Sequence, residues 1–166
     1  MQFLIITGMS GAGKSLCVKY FEDIGYFCVD NMPPSLIPKF AEMTLQSQSK
    51  LEKIALIIDI RGGKMFWDLL PALDTLSRMD IEYKILFLDA TDSVLIKRFK
   101  ETRRMHPLSQ DGRMAEGIAE ERQILQTIKE KADYVIDTSN LTPRQLREEI
   151  IRLFQEGGTF KGLIVR

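Results

Sequence analysis

The chain has 166 residues, 45% hydrophobic and 28% charged, which is the size and balance of one globular domain rather than a disordered or fibrous segment. Lys plus Arg and Asp plus Glu both number 23, so there is no global basic excess to drive non-specific nucleic-acid binding, and an RNA partner would need a local patch. No apolar run approaches the ~18 residues of a membrane span, and no charged-then-apolar leader precedes the first strand; the expectation is a cytoplasmic protein.

Along the chain, strand and helix patterns alternate, which favours a parallel sheet covered by helices. Phe3 to Ile6 is a short apolar β-forming run ending at Gly8, the first strand. Helical spacing follows from Lys14 to Ile24, closed by Gly25, and Tyr26 to Val29 reads as a second strand. After the turn at Asn31 to Pro34, a helix is predicted over Ser35 to Leu45 with Ser35 as its cap. Ile54 to Asp59 is an uninterrupted apolar strand ending in a carboxylate, the pattern of a strand buried on both faces. Lys64 to Met79 gives an amphipathic helix interrupted by Pro71, and Tyr83 to Leu88 a fourth strand ending at Asp89.

Ser93 to Arg103 forms a basic helix, and Arg104 to Gly112, broken by Pro107 and Gly112, reads as a mobile loop. Ala115 to Ala132 is helical and Tyr134 to Asp137 is a fifth strand. The last helix opens with a capping box, Thr142 followed by Pro143 at the first helical position and Gln145 three residues on from the threonine. Gly162 to Arg166 is a further strand-like run. Cys17 and Cys28 match no metal-ligand spacing and read as small buried side chains.

Gly8, Met9, Ser10, Gly11, Ala12, Gly13, Lys14 and Ser15 fit G-x-x-x-x-G-K-[ST], with a strand before and a helix after. The glycines let the backbone curl so that N–H groups point at phosphate oxygens, at a helix N-terminus whose dipole favours negative charge. Lys14 supplies a compact cation to β- and γ-phosphates, and the Ser15 hydroxyl can ligate Mg²⁺. A carboxylate on a neighbouring strand tip completes such a metal site; Asp59 is the first choice, while Asp30 and Asp89 share strand-end positions that also suit a cap or turn.

Arg103 and Arg104, at the edge of the breaker-rich segment, are candidates for placing positive charge over a transferred phosphoryl group. The rest of the basic stretch, Lys97, Arg98 and Lys100, reads mainly as a solvated helix face, and His106 as a lid or surface residue. Thr138 to Asn140 lies where a nucleoside could rest. No Asn-Lys-x-Asp sequence occurs, so the usual guanine-reading device of switch GTPases is absent and base preference stays open.

The segments 8–15, 23–33 (Asp23 to Pro33), 59–62 (Asp59, Ile60, Arg61, Gly62), 87–90 (Phe87 to Ala90) and 101–108 (Glu101 to Leu108) together resemble the bacterial RapZ/YvcJ family of P-loop nucleotide-binding proteins, the RNase adapter group. The resemblance implies a kinase-like P-loop NTPase fold, a three-layer α/β/α sandwich on a mainly parallel sheet of five or six strands. It implies slow hydrolysis of ATP and GTP, with an ATP site at 8–15 and a GTP-associated site at Asp59, Ile60, Arg61 and Gly62. Lys14, Asp30, Arg103 and Arg104 are the candidate catalytic residues, and Ser15 and Asp59 the candidate Mg²⁺ ligands.

Small-RNA and protein-adapter activity is assigned in that family to a further C-terminal domain, so RNA or protein partners come only through the resemblance; homo-oligomerisation is left open. Gly162 to Arg166 resembles the lead-in to that domain, giving an expected division into a nucleotide-binding unit over 1–157 and a linker over 158–166. A small-molecule or nucleotide kinase and a non-catalytic, nucleotide-gated adapter module are the alternative readings.

Overall fold

The computed structural model describes residues 2–46, 52–60, 63–102 and 114–155. Five strands run through them: β1 (Gln2–Gly8), β2 (Phe27–Val29), β3 (Lys53–Ile57), β4 (Tyr83–Asp89) and β5 (Tyr134–Asp137). Six α-helices join or follow them: α1 (Lys14–Asp23), α2 (Ile37–Gln46), α3 (Gly63–Arg78), α4 (Asp92–Thr102), α5 (Met114–Lys131) and α6 (Pro143–Phe154).

The strands form one all-parallel sheet in the order β2-β3-β1-β4-β5. Central β1 pairs with β3 on one side, Ile5 opposite Leu56, and with β4 on the other, Ile5 opposite Ile85. Being covered on both faces, these strands need no polar alternation: Phe3 to Ile6 and Ile54 to Leu56 are fully buried.

The crossovers sort the helices into layers. Moving from β1 to β2 runs one way along the sheet, and every later step runs the other way, so right-handed connections place α1 on one face and α2, α3, α4 and α5 on the other. The packing agrees, since α1 meets α6, α2 meets α3, and α5 meets both α3 and α4. On the α1 face, Phe154 stacks edge-on against Phe21 and Tyr134 at 5.1 and 4.7 Å between ring centres. This is the α/β/α sandwich on a parallel sheet expected from the sequence.

Several local expectations are corrected. Ser35 is not a helix cap: Pro33 is extended and Pro34 begins a 3₁₀ turn over Pro34–Leu36 that feeds α2, so the proline geometry starts the helix. Pro71 does not interrupt α3, which continues through it. Cys17 is buried, but Cys28 is only half-buried. The capping box of α6 is present with both of its reciprocal bonds, Gln145 N–H to the Thr142 hydroxyl at 3.1 Å and Thr142 N–H to the Gln145 side chain at 2.9 Å. The expected loop at 104–112, the strand-like run at 162–166 and the division at 157/158 lie outside the described residues.

Thr7, just ahead of the glycine loop, has a fully buried hydroxyl with no hydrogen-bond partner among the described residues. An unsatisfied buried polar group costs about 1–3 kcal/mol. Thr7→Val, which keeps the shape and removes the hydroxyl, is expected to stabilise the fold by about 1 kcal/mol, read as a rise in the urea midpoint.

Candidate functional site

The loop between β1 and α1 sits at the carboxyl end of the central strand, where open α/β sheets place their ligands. Gly8 is required by crowding: a Cβ there would lie 2.2 Å from the Leu88 carbonyl oxygen of β4. Gly13 stands at the N-cap of α1 with φ +114° and has no side chain, so no side chain caps the N–H groups of the first turn.

The loop is held both by its own lysine and from outside. The Lys14 ammonium donates to the carbonyls of Gly8 and Met9 at 2.9 and 3.0 Å. Arg98, on α4, donates to the Gly11 carbonyl at 3.0 Å and to the Thr138 carbonyl at 2.6 Å. The Thr138 hydroxyl in turn donates to the Ala12 carbonyl at 2.8 Å. Glu121, buried on α5, accepts from the Ser10 hydroxyl at 2.8 Å and from the Ser10 N–H at 3.1 Å.

A cleft of about 370 Å³ opens over this loop, walled by Ser10, Gly13, Lys14, Ser15 and Asp59 on the sheet side and by Phe99 and Glu101 of α4. Asp59 follows β3, the strand next to β1, and its carboxylate stands 3.6 Å from the Lys14 ammonium. Ser15 is exposed at the start of α1. The structure therefore brings Lys14, Ser15 and Asp59 to one cleft, as their positions in the sequence suggested.

A family model described as the RapZ-like N-terminal domain matches residues 1–158. The chain belongs to that family. A protein of Ruminiclostridium cellulolyticum named "Nucleotide-binding protein" is 62% identical over 165 residues, covering 99% of this chain and 57% of its own length. One from Acetivibrio thermocellus with the same name gives the same identity and coverage. The chain thus spans little more than half the length of these relatives.

Among solved structures, shikimate kinase from Acinetobacter baumannii in complex with shikimate aligns with a TM-score of 0.59 at 18% identity, over 91% of both chains. Deoxyadenosine kinase from M. mycoides with bound dATP aligns at 0.53 and 16% identity, over 92% of this chain and 99% of its own. At such identities the likeness is one of fold: a P-loop kinase-type sandwich.

Other expected site residues fall elsewhere. Ile60 is buried behind Asp59 in sequence, and Arg61, Gly62, Arg103, Arg104 and His106 lie outside the described residues. Asp30 is exposed after β2, accepts the Asn31 N–H at 2.8 Å, and is not part of the cleft wall. Burial pushes the Cys17 thiol up to about 12, and Cys28 likewise, so neither is a thiolate near neutral pH. Among the described residues no helix is long and apolar enough to cross a membrane.

Asp89 turns away from the cleft and into α5. Its carboxylate accepts from Lys129 at 2.7 Å, from Arg122 at 2.8 Å and from the Ala90 N–H at 2.7 Å. Arg122 also holds Asp92 at 2.6 Å and the Ala90 carbonyl, so α5 is pinned to the end of β4 and the start of α4.

Burial alone would raise the Asp89 carboxyl, but the bonds from Lys129, Arg122 and Ala90 outweigh it and hold the group below the ordinary carboxylate range. A pKa lower in the folded than in the unfolded chain adds stability that is complete above the ordinary Asp value of about 4 and is lost as pH falls below it. The urea midpoint should therefore fall as pH drops from about 4 toward 2. Asp89→Asn should be less stable than wild type at pH 7 and should lack that part of the acid loss.

Proposed function

We propose that the chain is a nucleotide-binding regulatory domain that takes ATP or GTP with Mg²⁺ at the 8–15 loop and hydrolyses it slowly. The observation that carries this reading is the convergence of Lys14, Ser15 and Asp59 on one cleft beneath the uncapped N-terminus of α1. A compact cation, a helix dipole and inward-facing amides are the elements that recognise a polyphosphate. The names of the relatives support it.

The donor set suits magnesium. Among the described residues no group of three His, Cys, Asp or Glu side chains could cage a metal, whereas Mg²⁺ is commonly held by one or two protein oxygens together with phosphates and water. Ser15 and Asp59 provide a hydroxyl and a carboxylate, and the ion when bound would neutralise charge on the β- and γ-phosphates. Lys14 would shift its ammonium from the Gly8 and Met9 carbonyls toward phosphate oxygens, a short reach from where it already stands.

The base and ribose would lie along a second hollow of about 190 Å³ outside Gly11 to Gly13, between Arg98, Thr138, Leu141 and Pro143. By family resemblance, Asp59, Ile60, Arg61 and Gly62 would form the GTP-associated stretch, and Arg103 and Arg104 would cover the terminal phosphate. Asp30 would act only if the β2 end approached the cleft. Its place outside the wall supports a slow hydrolase over a dedicated kinase, which needs an acceptor base beside the γ-phosphate. Adapter activity toward RNA or protein belongs in this proposal to the part of the longer relatives that this chain does not span.

Removing the lysine tests the reading. Losing one charge-assisted contact of about 1.5–3 kcal/mol should weaken ATP and GTP binding about ten- to a hundred-fold in Lys14→Ala, measured by titration with fluorescent nucleotide. Phosphate release should fall to background; release that persists in this variant would sink the proposal.

A further inference from the structure

The ties on the phosphate loop are not alike. Lys14, Arg98 and Thr138 all donate to carbonyl oxygens, Lys14 from α1 itself, Arg98 from α4 and Thr138 from the turn after β5. Glu121 is a side chain that instead takes donors, the N–H and the hydroxyl of Ser10, the third residue of the motif. It is 2% exposed and comes from α5, 111 positions away in sequence and on the opposite face of the sheet from α1.

A carboxylate at this place stands directly behind the cleft wall. Ser10 lines the cleft on one side and is hydrogen-bonded to Glu121 on the other. Phosphate binding brings several negative charges to the cleft side of the same loop. Whatever else Glu121 touches, the added charge raises the energy of an ionised carboxylate one residue away in a poorly solvated setting. The amides that close on the phosphates are also covalently continuous with the one that Glu121 holds, so the loop cannot tighten without moving that contact.

The far side of the contact is equally well connected. The next residue, Arg122, bonds Asp89, Asp92 and the Ala90 carbonyl, and Lys129 two turns on bonds Asp89 again. A displacement at Glu121 is therefore delivered to a helix fixed to the end of β4 and the start of α4, not lost in a floppy side chain.

The geometry points to Glu121 as a positioning residue that couples occupancy of the phosphate loop to α5, so that the helix reports whether terminal phosphates are present. This rests on the nucleotide-binding reading above and adds the route by which the bound state leaves the site. By linkage the coupling is reciprocal: a partner that grips α5 would change nucleotide affinity by the same factor.

Hydrogen exchange read by mass spectrometry tests it on the whole chain, with and without Mg²⁺-ATP. Two peptides decide the outcome, one over α1 and one over residues 117–125. In wild type both should change on ATP addition, the second by about threefold or more in rate. In Glu121→Gln the α1 response should remain and the α5 response should disappear.

A merely structural role would instead shift α5 exchange equally with and without ATP. Ser10→Ala removes only the hydroxyl donor and should at least halve the α5 response; it decides the matter if the Glu121 variant does not fold. An α1 response in wild type without an α5 response overturns the coupling but leaves nucleotide binding intact, as does an α5 response that survives both substitutions. No response in either peptide of the wild type removes the nucleotide reading and the coupling together.

Discussion

The direction of a few peptide planes at the end of β1 governs the site. Because a peptide unit is rigid, fixing a carbonyl also fixes the N–H on the same plane. The carbonyls of Gly8, Met9, Gly11 and Ala12 each accept from Lys14, Arg98 or Thr138, and the N–H groups of Met9, Ser10 and Ala12 are held by the Leu88 carbonyl, Glu121 and the Met9 carbonyl. The side-chain donors come from α1, from α4 and from the turn after β5, so the loop's shape is a property of the assembled sheet rather than of eight residues alone. A glycine-rich loop without these ties would have the freedom to curl but no reason to stay curled.

The tying residues also explain why charge is distributed as it is near the site. Arg98 and Arg122 both lie on the faces that meet the carboxyl end of the sheet, and each is spent on backbone carbonyls or carboxylates within the fold. Guanidinium groups suit this work because several donors leave one planar group in a fixed fork, so one side chain can bridge two loops. Lys14, which lines the cleft, is a point charge on a flexible stem, with Asp59 beside it to balance the charge.

What the sequence made legible was whatever is encoded by neighbours. The eight-residue motif, the apolar strands, the Thr142 capping box and the carboxylate after β3 all follow from local spacing, and the fold class followed from their alternation. Glu121, Arg98 and Thr138 carry no such mark: they meet the loop across 111, 87 and 126 positions. Arg98 reads as one more charge on a solvated face, and no motif singles out Glu121. The only available hint was periodic, since Glu121 falls in line with Ile118, Leu125 and Ile128 on the buried side of α5. Asp89 misled in the opposite sense: strand-end position was right for a ligand, but two cations on α5 take its carboxylate. Ser35 and Pro71 erred because tertiary packing and the proline ring set helix boundaries more firmly than cap preference does.

The strand order has a consequence for how the site comes into being. β1 is first among the described strands yet central in the sheet, and both of its partners arrive late, β3 after α1, β2 and α2, and β4 after β3 and α3 as well. Parallel pairings of this kind close long loops before they return any stabilisation, which makes them late events in folding. The phosphate loop therefore acquires its shape late in folding, although it precedes β4, α4 and β5 in the sequence. A stretch whose form waits on β4, α4 and β5 cannot present its assembled shape to a ligand before those elements are in place. Nucleotide capture is in this way confined to chains whose sheet is already complete.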